Sequence, residues 1–332
     1  MTQQHSFTFI DLFAGIGGLH IALESVGGKC VFASECDKYA QETYRTNFPS
    51  TPLYGDITKQ ETKDKIPNAF DVLCAGFPCQ SFSYAGLKRG FEDTRGTLFY
   101  EIAAILKDKK PKVALLENVK GLISHDKGKT LQIILSTLTS IGYRCSIATD
   151  VINGSSLKTL QQEAKKMVLN AKDFGVCQNR QRIYIVLWRE DLKLEHFVYP
   201  EPTSIPTKVD SILEDNVGAK YTISDRMWAG HQVRKERNKA KGKGFGYNLI
   251  SPEAPYTNTI SARYWKDGSE ILIEQEGKNP RRLTPREATR LQGFPDTFII
   301  NKSERQAYKQ AGNSVAVPVV QKLAMEIVKQ IL

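Results

Sequence analysis

Cysteine is scarce and scattered in this sequence. Six of its 332 residues are cysteines (Cys30, Cys36, Cys74, Cys79, Cys145 and Cys177), and no two of them form a CxxC pair. That spacing suggests neither a zinc site nor a disulfide framework, and most of the six are expected to be buried small hydrophobes. No apolar run approaches the ~20 residues needed to cross a bilayer. The opening MTQQHSFTF lacks the charged start and apolar stretch of a secretion signal, so the expected location is the cytoplasm, with no membrane partner. Internal repeats and low-complexity tracts are absent too. What is present suits a folded protein of about two domains, with 41% hydrophobic residues. Lys plus Arg number 46 against 36 Asp plus Glu, and the net charge of +10 favours a polyanionic partner without requiring one.

The first half alternates short apolar, β-branched runs with amphipathic stretches: FTFIDLF then LHIALESV, CVFAS then YAQETYRTNF, DVLCAGF then TLFYEIAAIL, VALLENV then LQIILSTLTSIG. This rhythm predicts a parallel sheet covered by helices. Near residue 190 it breaks into the Pro-rich YPEPTSIPTK, followed by a basic, glycine-containing stretch from Arg234 to Lys243. A second, less regular domain is expected there. The polar segment Asn153 to Lys166 reads as a surface insertion. From Ser314 onward, Val317, Val320, Leu323 and Ile327 restore a helical apolar pattern that can pack back on the first domain.

FTFIDLF runs directly into Ala14-Gly15-Ile16-Gly17-Gly18, where missing side chains let a ligand approach the backbone. The loop is not GxGxxG, which argues against a dinucleotide pyrophosphate, and a plain strand-to-helix turn stays open. Glu35, at the end of CVFASE, is placed to accept hydrogen bonds from a ribose diol, and Asp56 in GDI to receive an adenine amino group. Each acid also has an ordinary reading as a helix cap or solvated loop residue. Together they outline a nucleoside pocket at the carboxyl edge of a sheet.

DVLCAGF ends in Pro78-Cys79-Gln80-Ser81-Phe82-Ser83. A cysteine just past a strand end and beside a proline is held at a site rim, whereas a packed free cysteine is the bland alternative. VALLE carries Glu117 to the same rim, where a salt-bridged structural glutamate is the competing reading. A thiolate and a carboxyl so placed suggest one chemistry. The C5 carbon of cytosine is too poor a nucleophile to be methylated directly, but thiolate addition at C6 makes an enamine that pushes electrons to C5. A partly buried glutamate with a raised pKa would donate to N3 and stabilise that adduct. The acceptor of the C5 proton is not readable, an ordered water being one option.

At this point DLFAGIGGLH, GFPCQSFS, ENV, the pattern Gln178-Asn179-Arg180-Gln181-Arg182, RLTPREATRLQGFPDTF and AGNSVAVPV together resemble the DNA (cytosine-5) methyltransferases, in particular the single-chain bacterial modification enzymes. The resemblance spans nearly the whole chain, except about 191 to 280. It implies an α/β fold: a Rossmann-like class I S-adenosylmethionine-dependent methyltransferase domain over 1–190, completed by 305–332, and a smaller, mostly irregular or β target-recognition domain over 191–304. It implies that Phe13, Ala14, Gly15, Gly17, Gly18, Glu35, Asp56, Ile57, Pro78, Leu98 and Asn313 hold S-adenosylmethionine. Cys79 is then the nucleophile and Glu117 contacts the base, while Arg180 and Arg182 steady the flipped cytosine and the catalytic loop. Cys36 stands where relatives often carry a large aromatic, and Cys177 where proline is common.

A cytosine must leave the duplex to be attacked at C6. The Gly-, Ser- and Arg-rich stretch Ser81 to Gly96 has the composition of a loop that closes over the base. The resemblance places Gln80, Ser83, Thr259, Ile260 and Arg263 against double-stranded DNA, and gives a weak hint of a short target site beginning with CC. Arg234, Lys235, Arg237, Lys239, Lys241 and Lys243 read as phosphate contacts or as a solvated charged loop. A cognate restriction endonuclease, a monomeric enzyme and no metal are expected. Three rivals stand beside this: an RNA (tRNA) cytosine-5 methyltransferase, a catalytically silent DNA-binding protein, and a nicotinamide oxidoreductase that leaves PCQ and ENV unexplained.

Overall fold

The structure, a computed structural model, describes residues 6–78, 98–203 and 205–332. Its main sheet is built from β1 (Phe7–Leu12), β2 (Gly28–Ser34), β3 (Leu53–Tyr54), β4 (Val72–Gly76), β5 (Val113–Val119), β6 (Tyr143–Cys145), β7 (Val168–Asn170) and β8 (Gln181–Arg189). The order across the sheet is β3-β2-β1-β4-β5-β8-β6, with β7 also paired to β8. β1 to β5 are mutually parallel, as their alternation with helices predicts. β8 runs antiparallel to β5, β6 and β7, so the sheet is mixed rather than wholly parallel. The reason is local: β8 is entered from the irregular stretch 171–180 and not from a covering helix, so no crossover imposes the parallel sense.

Helices α1 (Gly18–Glu24), α2 (Lys38–Asn47), α3 (Gln60–Lys63), α4 (Leu98–Lys109) and α5 (Lys129–Ser140) fall between the strands. Successive residues of β1 feed opposite faces. Phe7 and Phe9 join a core that also holds Leu19, Leu23 and Tyr44 of α1 and α2, whereas Ile10 and Leu12 join one with Phe99, Ile102, Leu131 and Leu135 of α4 and α5. The segment Asn153 to Lys166, read as a surface insertion, takes in the end of α6 (Thr149–Gly154) and all of α7 (Leu157–Glu163), and it buries Leu160 and Ala164 in the second of these cores. Two apolar residues in a polar stretch were enough to dock it.

Beyond β8, the chain forms α8 (Asp225–Ala240), a small sheet of β9 (Leu249–Ile250), β10 (Leu272–Ile273) and β11 (Arg281–Arg282), and then α9 (Pro285–Arg290), α10 (Glu304–Asn313) and α11 (Val317–Gln330). Arg234 to Ala240 of the basic stretch thus end a 16-residue helix started by Ser224, whose hydroxyl accepts from Met227 N, and Lys241 to Lys243 follow it. Only His231 of α8 is buried, so the helix lacks the apolar period that would have announced it. A third core gathers Val209, Ile260, Tyr264, Ile271, Leu283, Leu291 and Tyr308. α11 returns to α1 and packs Val317, Val320, Leu323 and Ile327 into the first core, as its period predicts. Among the described residues, no helix is long and apolar enough to cross a membrane.

Candidate active site

The carboxyl ends of β1, β2, β4 and β5 open on a cavity of about 400 Å³. Such ends face a ligand because each strand there turns away and leaves backbone donors unpaired. Of the residues singled out from sequence, Phe13, Ala14, Gly15, Gly18, Glu35, Pro78, Leu98, Glu117, Arg180, Arg182 and Asn313 line it. Gly17, Asp56, Ile57, Thr259, Ile260 and Arg263 do not. Gly17 faces the ring of Phe48, Ile57 is buried in the second core, and Asp56 accepts from Thr58 N at 2.9 Å within its own turn. Cys79, Gln80, Ser83 and the segment 81–96 lie outside the described residues.

The glycine loop is shaped by Glu35. One carboxylate oxygen accepts from Gly15 N at 2.8 Å and the other from Asp37 N at 2.7 Å, which ties the end of β1 to the start of α2. The opposite wall comes from α10 and the residues after it, where Lys309 pairs with Asp37 and Gln310 bonds Thr43 Oγ1 and Tyr39 O. The AGNSV segment pointed to this wall only through Asn313. Lys309, Gln310, Ser314 and Val315 were missed because they carry no chemistry of their own, although their place one turn from Asn313 was a usable signal.

Glu117 sits at the end of β5, opposite Gly76 of β4 and Tyr184 of β8. Its Oε1 lies 3.1 Å from Nε of Arg182, which is opposite Val119 two residues along β8. Burial pushes the Glu117 carboxyl up from its ordinary range, while the charges of Arg182 and Arg180 pull the other way, and burial prevails. The residue is thus ion-paired while its burial raises its affinity for a proton. Asn118, also missed, donates from Nδ2 to Phe77 O at 2.8 Å and so pins the backbone leading to Pro78, one residue before Cys79.

Arg180 lies in the cavity wall but is 3% exposed, and its guanidinium donates to Ile260 O at 3.2 Å, Gly312 O at 3.1 Å and Ser314 O at 2.7 Å. Both terminal nitrogens are thus engaged by carbonyls, and Nε has no hydrogen-bond partner among the described residues. Burial and the neighbouring Arg182 lower its pKa. The Ile260 side chain is fully enclosed in the third core and its peptide groups are bonded to Gln178 and Arg180, so its neighbours are what is left to face a partner. Thr259 is half-buried and bonds Asn179 O at 2.6 Å, and Arg263 is exposed.

The basic residues divide as well. Arg234 bonds Gly246 O, Asp267 and the ring of His231, and Lys235 lies over the Tyr247 ring at 4.2 Å, so these two hold α8 to its own lobe. Arg237, Lys239, Lys241 and Lys243 are exposed and have no ion pair among the described residues.

A family model described as C-5 cytosine-specific DNA methylase matches residues 7–329. A Type II methyltransferase from Shigella sonnei, M.SsoII, is 54% identical over 97% of this chain and 80% of its own length. M.NlaX from Neisseria lactamica is 53% identical (97% and 96%), and M.HhaI from Haemophilus parahaemolyticus 40% (98% and 95%). Among solved structures, a DNMT2 from Spodoptera frugiperda superposes with a TM-score of 0.73 at 22% identity, covering 97% of this chain and all of the other. A putative DNA modification methyltransferase from an Escherichia coli prophage gives 0.67 at 20%, covering 98% and 99%. These two likenesses speak to the fold.

Proposed function

Since the chain belongs to the C-5 cytosine-specific DNA methylase family, we propose that it methylates C5 of a cytosine within a specific site of double-stranded DNA, as a DNA (cytosine-5-)-methyltransferase paired with a cognate restriction endonuclease. The observation that carries this reading is the convergence, on one cavity, of the Glu117–Arg182 pair, the loop held by Glu35, and the backbone leading to Cys79. The proposed division of labour gives chemistry and cofactor to 1–190 with 305–332, and target reading to 191–304. One copy of the chain carries both, so a monomer is the working unit.

The cavity suits S-adenosylmethionine: space lies open above Gly15 for close approach, an acid stands at the end of β2, and amide side chains line the α10 wall. When bound there, held by Phe13, Gly15, Glu35, Pro78, Leu98 and Asn313, this cofactor supplies an electrophilic methyl group. The chain's residues do the rest. Cys79, as thiolate, bonds to C6 of the extruded base. Glu117 donates its proton toward N3, so that the electron pair of the C5–C6 bond becomes an enamine nucleophilic at C5. Arg182 holds the Glu117 carboxyl in place. After C5 takes the methyl group, loss of the C5 proton to a base, departure of the Cys79 sulfur as thiolate and return of the N3 proton to Glu117 restore the neutral aromatic ring.

On the DNA side, Thr259 and Arg263 are the proposed readers, with Gln80 and Ser83 beside the nucleophile. Arg237, Lys239, Lys241 and Lys243 hold phosphates, which set position but not sequence. The test is incubation with methyl-labelled S-adenosylmethionine and either duplex DNA or transfer RNA, followed by hydrolysis to nucleosides. Label in 5-methyldeoxycytidine is expected. Label in 5-methylcytidine would transfer the activity to RNA, and label in neither would contradict the reading.

A further inference from the structure

The stretch 257–262 is fixed by its backbone from two sides. On one side runs the segment leading into β8: Gln178 pairs with Thr257 as an isolated bridge, and Asn179 N donates to Thr257 O at 2.8 Å. The peptide groups of Ile260 are then held by side chains, its N–H by Gln178 Oε1 at 3.1 Å and its C=O by Arg180 at 3.2 Å. Gln178 and Arg180 are both buried, and Gln178 also reaches Leu291 O at 2.8 Å.

On the other side lies the end of α10. A Cβ placed on Gly312 would come within 2.3 Å of the Ser261 carbonyl carbon and 2.4 Å of Ala262 N, so the helix approaches this peptide as closely as a glycine permits. The residues that follow continue inward. A Cβ on Gly18 would meet Ser314 Oγ at 2.7 Å and a methyl of Val315 at 2.8 Å, which places them directly against the glycine loop. Arg180 closes the connection, because the fork that holds Ile260 O also holds Gly312 O and Ser314 O. From the Ile260 peptide to Gly18 the path is therefore a run of buried and part-buried hydrogen bonds and close contacts.

From this we infer that Arg180 is a positioning residue that couples the DNA-reading segment 257–263 to the cofactor cavity, so that duplex and cofactor strengthen each other's binding. The inference rests on the functional reading above and adds the residue through which its two halves communicate. A duplex bound at Thr259 and Arg263 fixes the Ile260 peptide. Through the fork, that fixes Gly312 and Ser314, which line the cavity. By linkage, a cofactor that fixes the cavity wall favours the duplex by the same factor. A packed interior transmits such a constraint because it does not deform gradually.

The experiment measures the affinity of S-adenosylhomocysteine for the whole protein, alone and saturated with a duplex carrying the site mapped from its methylation products. The wild-type protein should bind it at least about tenfold tighter with the duplex present, which lies within the usual range of coupling. In Arg180→Lys the charge is kept, but one ammonium cannot span three carbonyls. Its ratio, taken between the DNA-bound and DNA-free states of the same variant, should fall below about threefold. General loosening would instead weaken the DNA-free affinity and leave the ratio standing.

A folded Arg180→Lys protein with the wild-type ratio would overturn the inference, as would a wild-type ratio of one. If Arg180→Lys gives no cooperative melt, Gln178→Ala, which frees the Ile260 N–H together with Leu291 O, should also lower the ratio, and an unchanged ratio there counts against the coupling. Failure of the functional reading shows itself separately, as absence of 5-methyldeoxycytidine from the product assay.

Discussion

The two halves of this molecule are held together by different physics. The sheet domain is layered: β1, β4, β5 and β8 are sandwiched between two extensive apolar cores, and the cavity residues hang from strand ends that those cores immobilise. The second lobe has a small core, strands of two residues and a helix that buries only His231. Its order comes largely from buried polar groups: Arg281 makes a bidentate pair with Glu287 at 2.7 and 2.8 Å, and Glu287 also accepts from Thr284 N and Glu214 N. An apolar layer tolerates exchange of one hydrophobe for another, whereas a polar network requires each member.

The sharpest way to separate the halves is by chemistry. Glu117→Gln keeps the shape of the site and removes the proton donor, and kcat should fall by about 10²- to 10⁴-fold. Binding of S-adenosylhomocysteine should change little; single-turnover methylation alongside calorimetry checks both.

Next in size is the polar lobe itself. Glu287→Ala strands Arg281 in a buried site and should cost about 3–5 kcal/mol of stability, read from chemical denaturation. An effect under about 1 kcal/mol would mean that the lobe is not network-held.

The layered half contains one costly exception, Asp11, fully buried on β1 with neither carboxylate oxygen hydrogen-bonded among the described residues. Burial raises its pKa to about 8. Because the folded state then holds the proton more tightly than the unfolded chain, the contribution of Asp11 to stability is complete at low pH. It is lost as pH rises from about 4 to about 8. Asp11→Asn should remove that slope, a difference on the order of a few kcal/mol between the two ends of the range. Parallel pH profiles for variant and wild type would expose a failure.

Smallest in energy is the exposed basic edge of the second lobe, proposed above to hold phosphates. Replacing Lys239, Lys241 and Lys243 with Gln should flatten the dependence of log binding constant on log salt by up to about 0.9 per lysine that meets a phosphate, with kcat at saturating DNA unchanged. An unaltered slope would return these residues to a merely solvated role.

The same contrast explains what was legible in the sequence. The sheet half announced itself because burial of both strand faces leaves continuous apolar runs, and because the glycine loop and Glu35 mark strand ends whatever surrounds them. The antiparallel β8 was not legible, since sense is set by how the chain enters the strand. In the second lobe, α8 escaped because a helix with one buried residue has no period. The burial of the Ile260 side chain was not legible because a Thr-Ile pair says nothing about which side chain points inward. Arg180 and Arg182 look equivalent in QNRQR; only their positions show that one grips three carbonyls and the other grips Glu117. The start of α9 was readable but not read: Thr284, Pro285 and Glu287 form a capping box that is plain in LTPRE.

The central claim is that Cys79 bonds to C6 of a cytosine held by Glu117. Its most direct test places 5-fluorocytosine at the mapped target in a duplex, with S-adenosylmethionine present. Fluorine at C5 leaves no proton to remove, so elimination of the thiol stalls and the adduct persists. A stable protein–DNA species whose crosslinked peptide contains Cys79, absent in Cys79→Ala, is the predicted result. Methylation that proceeds without an adduct, or that survives in Cys79→Ala, would contradict the account.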